Sequence, residues 1–367
     1  MAELMTPRER WIASLSKKPM DRLPFWPKIN GSYAQHQDEP YRSMSSTELH
    51  KWIGSDQHVG IPSCVKVRRK NTSIRSQRKN GYNKIEYITP LGTLNAANRF
   101  DQSSSSWHPV EFPVKKREDI NIMREFFADA ECEFDEGQYE KASAVVKNTG
   151  ESAVITTGIG VSPLMDWVQH LAGIENAHYM LWDYREDVES LFEQMHSYMC
   201  RRAEITADKC PADAVYSVEN TSTTLISPEH FQRYCYNHLM DYGNIITSSG
   251  KFHILHMCGH LKDVLPYINE LPASAIEAFT SPPVGNTTLK DGKNNCNRKC
   301  LIGGTNAALW IKSKDEIFWQ IKHDLDELEN QKGIVVTSAG VMPPLCKPET
   351  IKAVAELVKN YNISMDQ

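Results

Sequence analysis

No stretch of this 367-residue sequence approaches the roughly 20 consecutive apolar residues that a bilayer-spanning helix requires. The opening "MAELMTPRERWIASLSKK" has no apolar core of the secretory kind. Net charge is −5, so no global basic field points to nucleic acid. Nine cysteines without a secretion signal are expected to be reduced thiols rather than a disulfide framework. No Gly-rich dinucleotide fingerprint follows an early strand, and neither a solenoid repeat nor a low-complexity linker is present. Against these absences stand 40% hydrophobic and 24% charged residues, a globular composition. The expectation is a soluble, cytoplasmic chain without a membrane or nucleic-acid partner; assembly into a homo-oligomer is left open.

Thr6-Pro7-Arg8-Glu9 has the form of a capping box, and Trp11, Ile12 and Leu15 give the following helix an apolar face. "RLPFWP" (22–27) reads as a first strand. From about residue 150, short β-rich runs alternate with long amphipathic ones. The strand candidates are "AVITTG" (153–158), "AVYSVE" (214–219), "FHILHMC" (252–258), "SAIEAF" (274–279), "CLIGGT" (300–305) and "GIVVTSA" (333–339). Helical patterns lie near 162–172, 185–208, 228–248, 260–270, 314–329 and 348–361. Apolar runs without clean alternation suit strands buried on both faces, and this repetition favours one α/β unit over 1–367, a (β/α)8 TIM barrel. Residues 55–110 break the rhythm: polar and apolar residues alternate around Asn80-Gly81, a hairpin turn signal. They predict a β-hairpin inserted near the N-terminus. Its basic residues Lys66, Arg68, Arg69, Lys70, Arg75, Arg78 and Lys79 fit either a solvated edge that discourages strand addition or a docking surface for an acidic protein.

The densest group of metal-ligand residue types is "HILHMCGH" (253–260). Side chains alternate along a strand, so His256 and Cys258 share one side and His253 takes the other. In a barrel they would stand at the C-terminal end of a strand, where such folds keep their chemistry. An imidazole and a thiolate suit Zn2+. A satisfied core histidine beside an inert thiol is the plain alternative. Glu219 ends "AVYSVE" and needs a partner for its carboxylate. Cys346, in "SAGVMPPLC", follows the last strand candidate. Glu219, His256, Cys258 and Cys346 are therefore the candidate metal ligands, with Glu219 and His256 the candidate catalytic pair; His260 reads as a helix N-terminal residue. Cys296 and Cys300 have ligand-like spacing but precede a strand, which places them at the opposite face.

Several segments resemble, in order, the uroporphyrinogen decarboxylase superfamily: "TPRERWIASLSKKPMDRLPFWP", "LISPEHFQRYCYNHL", "ILHMCGHLKDVLPYI", "SPPVGNTTL" and "LIGGTNAALW". The resemblance implies a (β/α)8 barrel and a choice between decarboxylases and zinc-dependent cobamide methyltransferases. The decarboxylases carry an early Arg-Gln-Ala-Gly-Arg segment that meets substrate carboxylates. Here "FWPKINGSYAQHQDE" has no arginine, so a polycarboxylate would lack its clamp. The methyltransferases use His-x-Cys and a distant Cys on zinc, an order that His256, Cys258 and Cys346 follow. In the coenzyme M branch the last cysteine directly follows a glycine; after Gly340 stands Val341, and Cys346 comes later.

"VMPPLC" with "HMCGHL" is more similar to the branch that demethylates small donors, including aryl methyl ethers, onto a corrinoid protein. The implied activity is methyl transfer from a small methylated donor, an arene ether first, to a Co(I) corrinoid. That corrinoid would be carried by a separate partner protein, because no corrinoid-binding domain is visible in the chain. "DWVQHLAG" (166–173) has the wrong spacing for one. Trp26, Tyr33, Trp107 and Tyr216 could sandwich a planar substrate or simply pack the core. The alternatives are methylcorrinoid:thiol methyl transfer, porphyrinogen decarboxylation and a non-catalytic binding barrel.

Overall fold

A computed structural model describes residues 4–29, 31–102 and 105–364. Its centre is a sheet of eight parallel strands: β1 (Phe25–Trp26), β2 (Gln57–Gly60), β3 (Ala153–Gly160), β4 (Ala214–Val218), β5 (Phe252–His256), β6 (Ala275–Phe279), β7 (Cys300–Gly303) and β8 (Ile334–Thr337). They lie in chain order around a nearly closed ring, with β1 paired to β8 in the register Phe25↔Val336. The Asp56 amide donates to the Phe25 carbonyl at 2.7 Å, which brings β2 against β1. Helices such as Ser46–Ile53, Arg185–Lys209, Asn237–Ser248, Lys314–Asp326 and Pro348–Lys359 surround it. This is the (β/α)8 architecture that the alternation of patterns predicts.

Both faces of the strands other than β2 are largely buried, for the reason that a parallel ring allows no solvent face. Val154, Tyr216, Ile254, Ile302 and Val335 fill the inside with Trp26, while Val215, Leu255, Ile276, Leu301 and Val336 pack outward under the helices. The first helix, Pro7–Leu15, carries the expected capping box of Thr6 and Glu9 and sends Trp11 into the bottom of the ring. Trp11 Nε1 donates to the Asp56 carbonyl at 2.9 Å.

The region between β2 and β3 is larger than the single hairpin expected. Strands 73–79, 82–89, 92–101 and 106–111 form a four-stranded antiparallel meander, and strand 65–68 pairs with 131–134. Asn80 (φ 50°) and Gly81 (φ 73°) make the first turn, as their sequence implies. β2 itself, "QHVG", was hidden: four residues with one aliphatic side chain carry no strand pattern. Two helices expected as continuous, near 162–172 and 228–248, each contain a π-helical turn, at Trp167–Leu171 and Gln232–Tyr236. Strand ends also fall short of expectation. β4 stops before Glu219 and β5 stops at His256, so Cys258 stands on a loop.

The ring is locked at its base by Asp56. Arg10 Nη1 lies 2.6 Å from Asp56 Oδ1 and Arg22 Nη1 2.7 Å from Oδ2, while the Phe25 amide donates to Oδ2 at 3.0 Å. Arg10 also holds Asp21 at 2.7 Å. Removing the carboxylate takes an ion-pair partner from each of two buried guanidinium groups, of which Arg10 keeps Asp21. Asp56→Ala is expected to cost about 3–5 kcal/mol of unfolding free energy in urea titrations. Arg8→Ala, which loses ion pairs to Glu151 and Asp213 near the surface, should cost less than about 1 kcal/mol.

Candidate active site at the barrel mouth

The C-terminal ends of the strands are where this backbone departs from easy geometry. Asn220 after β4 (φ 48°), Ala278 in β6 (φ 60°) and Ala339 after β8 (φ 61°) all sit in the left-handed region. Each costs a non-glycine residue about 1 kcal/mol or more, and such strain gathers at functional sites. At Ala278 the β6–β7 register slips between Glu277 and Phe279, so the chain turns just beyond Glu277.

Glu277 is the centre of the mouth. Its side chain is almost fully buried (1% exposed), with Lys28 Nζ 2.8 Å from Oε1 and His256 Nδ1 hydrogen-bonded to Oε2. Burial alone would push this carboxyl up. The Lys28 charge and the His256 hydrogen bond prevail and hold it down at about 2. Burial likewise opposes the charged form of His256. Its hydrogen bonds to Cys258 and Glu277, with the Glu277 charge, raise the imidazole to about 9. Neither Glu277 nor Lys28 stood out in the sequence. A signal was available: Glu277 is a lone carboxylate inside the apolar run "SAIEAF", the same argument that singled out Glu219.

A second chain of contacts ties Cys258 to its neighbours. Its thiol donates to Asn220 Oδ1 at 3.5 Å, Asn220 Nδ2 donates to Gln169 Oε1 at 2.7 Å, and Gln169 Nε2 donates to the Glu219 carbonyl at 3.0 Å. The Asn220 amide donates to the His256 carbonyl at 2.9 Å, fixing the ends of β4 and β5 together. The π-helical turn at Trp167–Leu171 is what presents Gln169 here.

His256 and Cys258 are thus adjacent across the end of β5, hydrogen-bonded to each other although the strand stops at His256. The other two expected ligands are held elsewhere. Glu219 is buried with both oxygens on Ser162, whose amide donates at 2.8 Å and hydroxyl at 2.5 Å. Burial, partly countered by those bonds, raises the Glu219 carboxyl to about 7. Cys346 lies in the outer apolar layer, where burial pushes its thiol up to about 12. The Tyr33 hydroxyl donates to the Cys346 carbonyl at 2.5 Å, so Tyr33 anchors that loop. Among the described residues, no group of three or more His, Cys, Asp or Glu stands close enough to hold a metal. The donor chemistry still fits zinc at His256 and Cys258: a nitrogen, a sulfur, and a carboxylate on the other ring nitrogen that orients the imidazole. A full set needs Glu219 to leave Ser162 or the Cys346 loop to move.

Of the aromatic candidates, Trp26 and Tyr216 line the ring interior below Glu277. Trp26 stacks on His58 with centroids 4.0 Å apart, and Tyr216 lies 5.7 Å from His58. Among the described residues the buried Tyr216 hydroxyl has no hydrogen-bond partner. Trp107 belongs to the meander, under Arg78.

The sequence profile of the Uroporphyrinogen decarboxylase (URO-D) family matches residues 113–361, well over half of the chain. The chain belongs to the uroporphyrinogen decarboxylase family. A solved methyltransferase from Methanosarcina mazei superposes with a TM-score of 0.60 at 13% identity, covering 96% of this chain and 98% of that one. At that identity the likeness speaks for the shared fold. No curated protein matches the chain in sequence. The family match begins just after the meander, so the Lys28–Glu277–His256 arrangement spans matched and unmatched parts of the chain.

His253, the third imidazole of "HILHMCGH", faces away from the mouth. It is fully buried, with Nε2 2.9 Å from Ser217 Oγ, and burial lowers it to about 3. A base held below its unfolded value stabilises the fold above pH 6.5 and loses that contribution as pH falls toward 3. Between pH 7 and pH 5 this one group should remove about 2 kcal/mol, and His253→Gln should flatten the slope by about one proton. Urea midpoints across that range measure it.

Proposed function

We propose that this protein is a zinc-dependent methyltransferase. It takes a methyl group from a small methylated donor, an aryl methyl ether first, and passes it to the Co(I) corrinoid of a partner protein. The observation that carries this reading is the His256–Cys258 pair at the strand ends, with Glu277 fixed behind His256 by Lys28. Membership of the uroporphyrinogen decarboxylase family and the fold shared with a methyltransferase agree with it.

Zinc held by His256 and Cys258, with Glu219 or Cys346 as the candidate further ligands, would supply Lewis acidity toward the oxygen that loses its methyl group. The protein's own part is placement. Glu277 fixes which nitrogen of His256 points outward, and Lys28 keeps Glu277 ionised. Asn220 and Gln169 hold the Cys258 loop. Trp26, His58 and Tyr216 form an apolar floor below, which keeps water from the underside of a bound ring. The partner supplies the nucleophilic cobalt, since a corrinoid must approach from the open mouth.

Porphyrinogen decarboxylation is disfavoured by Lys28. The cation that follows β1 is already paired with Glu277, which leaves it unfit to clamp a further carboxylate.

Elemental analysis of the purified protein is expected to find one zinc per chain, and Cys258→Ser should lose the metal and the methyl transfer together. A Cys258→Ser protein with full zinc and activity would sink the reading. Incubation with reduced cobalamin and a panel of methoxyarenes, methylamines and methanol should form methylcobalt with the methoxyarenes. Methylation of a thiol instead, with no donor active, would favour the reverse transfer. Glu277→Gln should weaken zinc binding by about 10–100-fold in chelator competition while leaving the ligands in place.

A further inference from the structure

The meander is the one large element that the barrel chemistry leaves unused. It leaves the ring after β2, at the C-terminal face, and its far end is tied beside the mouth. The Val114 amide donates to the Leu171 carbonyl at 2.9 Å, and Asn176 Nδ2 donates to the Val114 carbonyl at 3.2 Å. Residues 65–111 hold nine Lys and Arg against three Asp and Glu, in a chain of net charge −5. The basic charge is therefore local, while the remainder of the chain is acidic.

Seven of these cations fall into two kinds. Lys66 and Arg68 pair with Glu133, and Arg69 lies over the Phe126 ring. Those three serve the fold. Arg75, Lys79, Lys84 and Arg99 form no ion pair among the described residues, and the ladder places them on one face. Arg75 is opposite Glu86, Gln77 opposite Lys84, Lys79 opposite Tyr82, and Tyr82 opposite Arg99. This face is hollowed into a trough of about 810 Å³ lined by Arg75, Gln77, Lys84, Glu86, Asn95 and Glu111.

Strand 73–79 is the open edge of the sheet and is exposed at every position. In an antiparallel ladder closed by a two-residue turn, the residues flanking the turn exchange both bonds. Lys79, Gln77 and Arg75 consequently bond inward, and Ile74, Ser76 and Arg78 leave their N–H and C=O groups on the open edge.

We propose that this edge accepts an extended acidic segment of the partner protein as a fifth strand, with Asp or Glu at alternate positions facing Arg75 and Lys79 on the edge strand, and with Lys84 and Arg99 on the strands behind adding to the positive field of that face. Main-chain bonds would supply affinity and the alternating charges the register. Charges whose purpose is only to deter aggregation belong on the edge strand. Lys84 and Arg99 lie on inner strands, on the same face, which that purpose does not need. A second copy of this chain is a poor occupant, because edge-to-edge pairing sets Arg75, Arg78 and Lys79 against their own kind. A nucleic acid is the poorer occupant because it has no peptide N–H and C=O groups to continue the ladder at the open edge. That the partner is the corrinoid carrier rests on the methyl-transfer reading; the surface itself does not.

The test uses a fluorescein-labelled peptide of alternating Glu and Val, its Lys and Val counterpart, and a single-stranded oligodeoxynucleotide, titrated against the full chain by fluorescence anisotropy. The acidic peptide should bind, weaken at high salt, and weaken about tenfold or more with the combined Arg75→Glu, Lys79→Glu and Lys84→Glu changes. The neutral pair Arg75→Gln with Lys84→Gln should lie between, which guards against a charge reversal that perturbs folding. Hydrogen exchange should show new protection of the Ile74, Ser76 and Arg78 amides. No binding of the acidic peptide, equal binding of the lysine peptide, tighter binding of the oligonucleotide, or protection elsewhere overturns the proposal. In the reversal variant, methyl transfer to free reduced cobalamin should stay unchanged. If wild type transfers no methyl group at all, the methyl-transfer reading fails while the peptide measurements still decide the surface.

Discussion

Everything at the mouth depends on a carboxylate at the other end of the ring. Asp56 sits between β1 and β2, takes two arginines and one backbone amide on its side chain, and closes the strand order through its own N–H. A barrel fixes the relative height of its strands only when the ring is shut. Lys28 follows β1, and its distance to Glu277 on β6 is set by that closure. The buried charge cluster is thus less a source of net stability than a device that excludes other registers, since pairing two arginines with one aspartate leaves little freedom in how the first strand lies.

The mouth repeats this logic with different partners. Glu277 joins a cation from the N-terminal segment to an imidazole from β5, so one carboxylate correlates three elements that are far apart in sequence. Left-handed residues at the ends of β4, β6 and β8 direct the chain around it. Their strain is tolerable because the strands below are fully buried and over-determine the backbone. The result is a nitrogen from the last residue of β5 beside a sulfur from the loop that follows it, with a candidate carboxylate, Glu219, held on Ser162.

Much of this was legible in the residues. Apolar runs buried on both faces alternate with amphipathic ones, and that is enough to indicate a parallel ring. His256 and Cys258 fall at the strand end that the run "FHILHMC" implies, although the strand itself stops at His256. What stayed hidden has physical reasons. β2 has almost no apolar content because its neighbours and Asp56 hold it. The meander exceeded a hairpin because the connections beyond the Asn80-Gly81 turn carry weaker sequence signatures. Glu277 was lost inside a run that reads as pure core. The π-helical turns leave no periodic trace, since one extra residue is absorbed without altering which side chains are apolar. Cys346 shows the limit of reading proximity from topology. It lies in the loop after β8, but its loop folds outward and Tyr33 holds it there.

The pairing of β1 with β8 joins residue 25 to residue 336, while every contact within the meander joins neighbouring strands. During synthesis the meander can therefore form as soon as it emerges, from local contacts alone. The ring cannot shut until nearly the whole chain has been made. Until then β1 lacks its β8 partner, although β2 can already pair with β3, and β1 waits near a finished antiparallel sheet whose own edge is guarded by arginine and lysine. The order of assembly places the charged edge next to the exposed one during the interval when wrong pairing is most available.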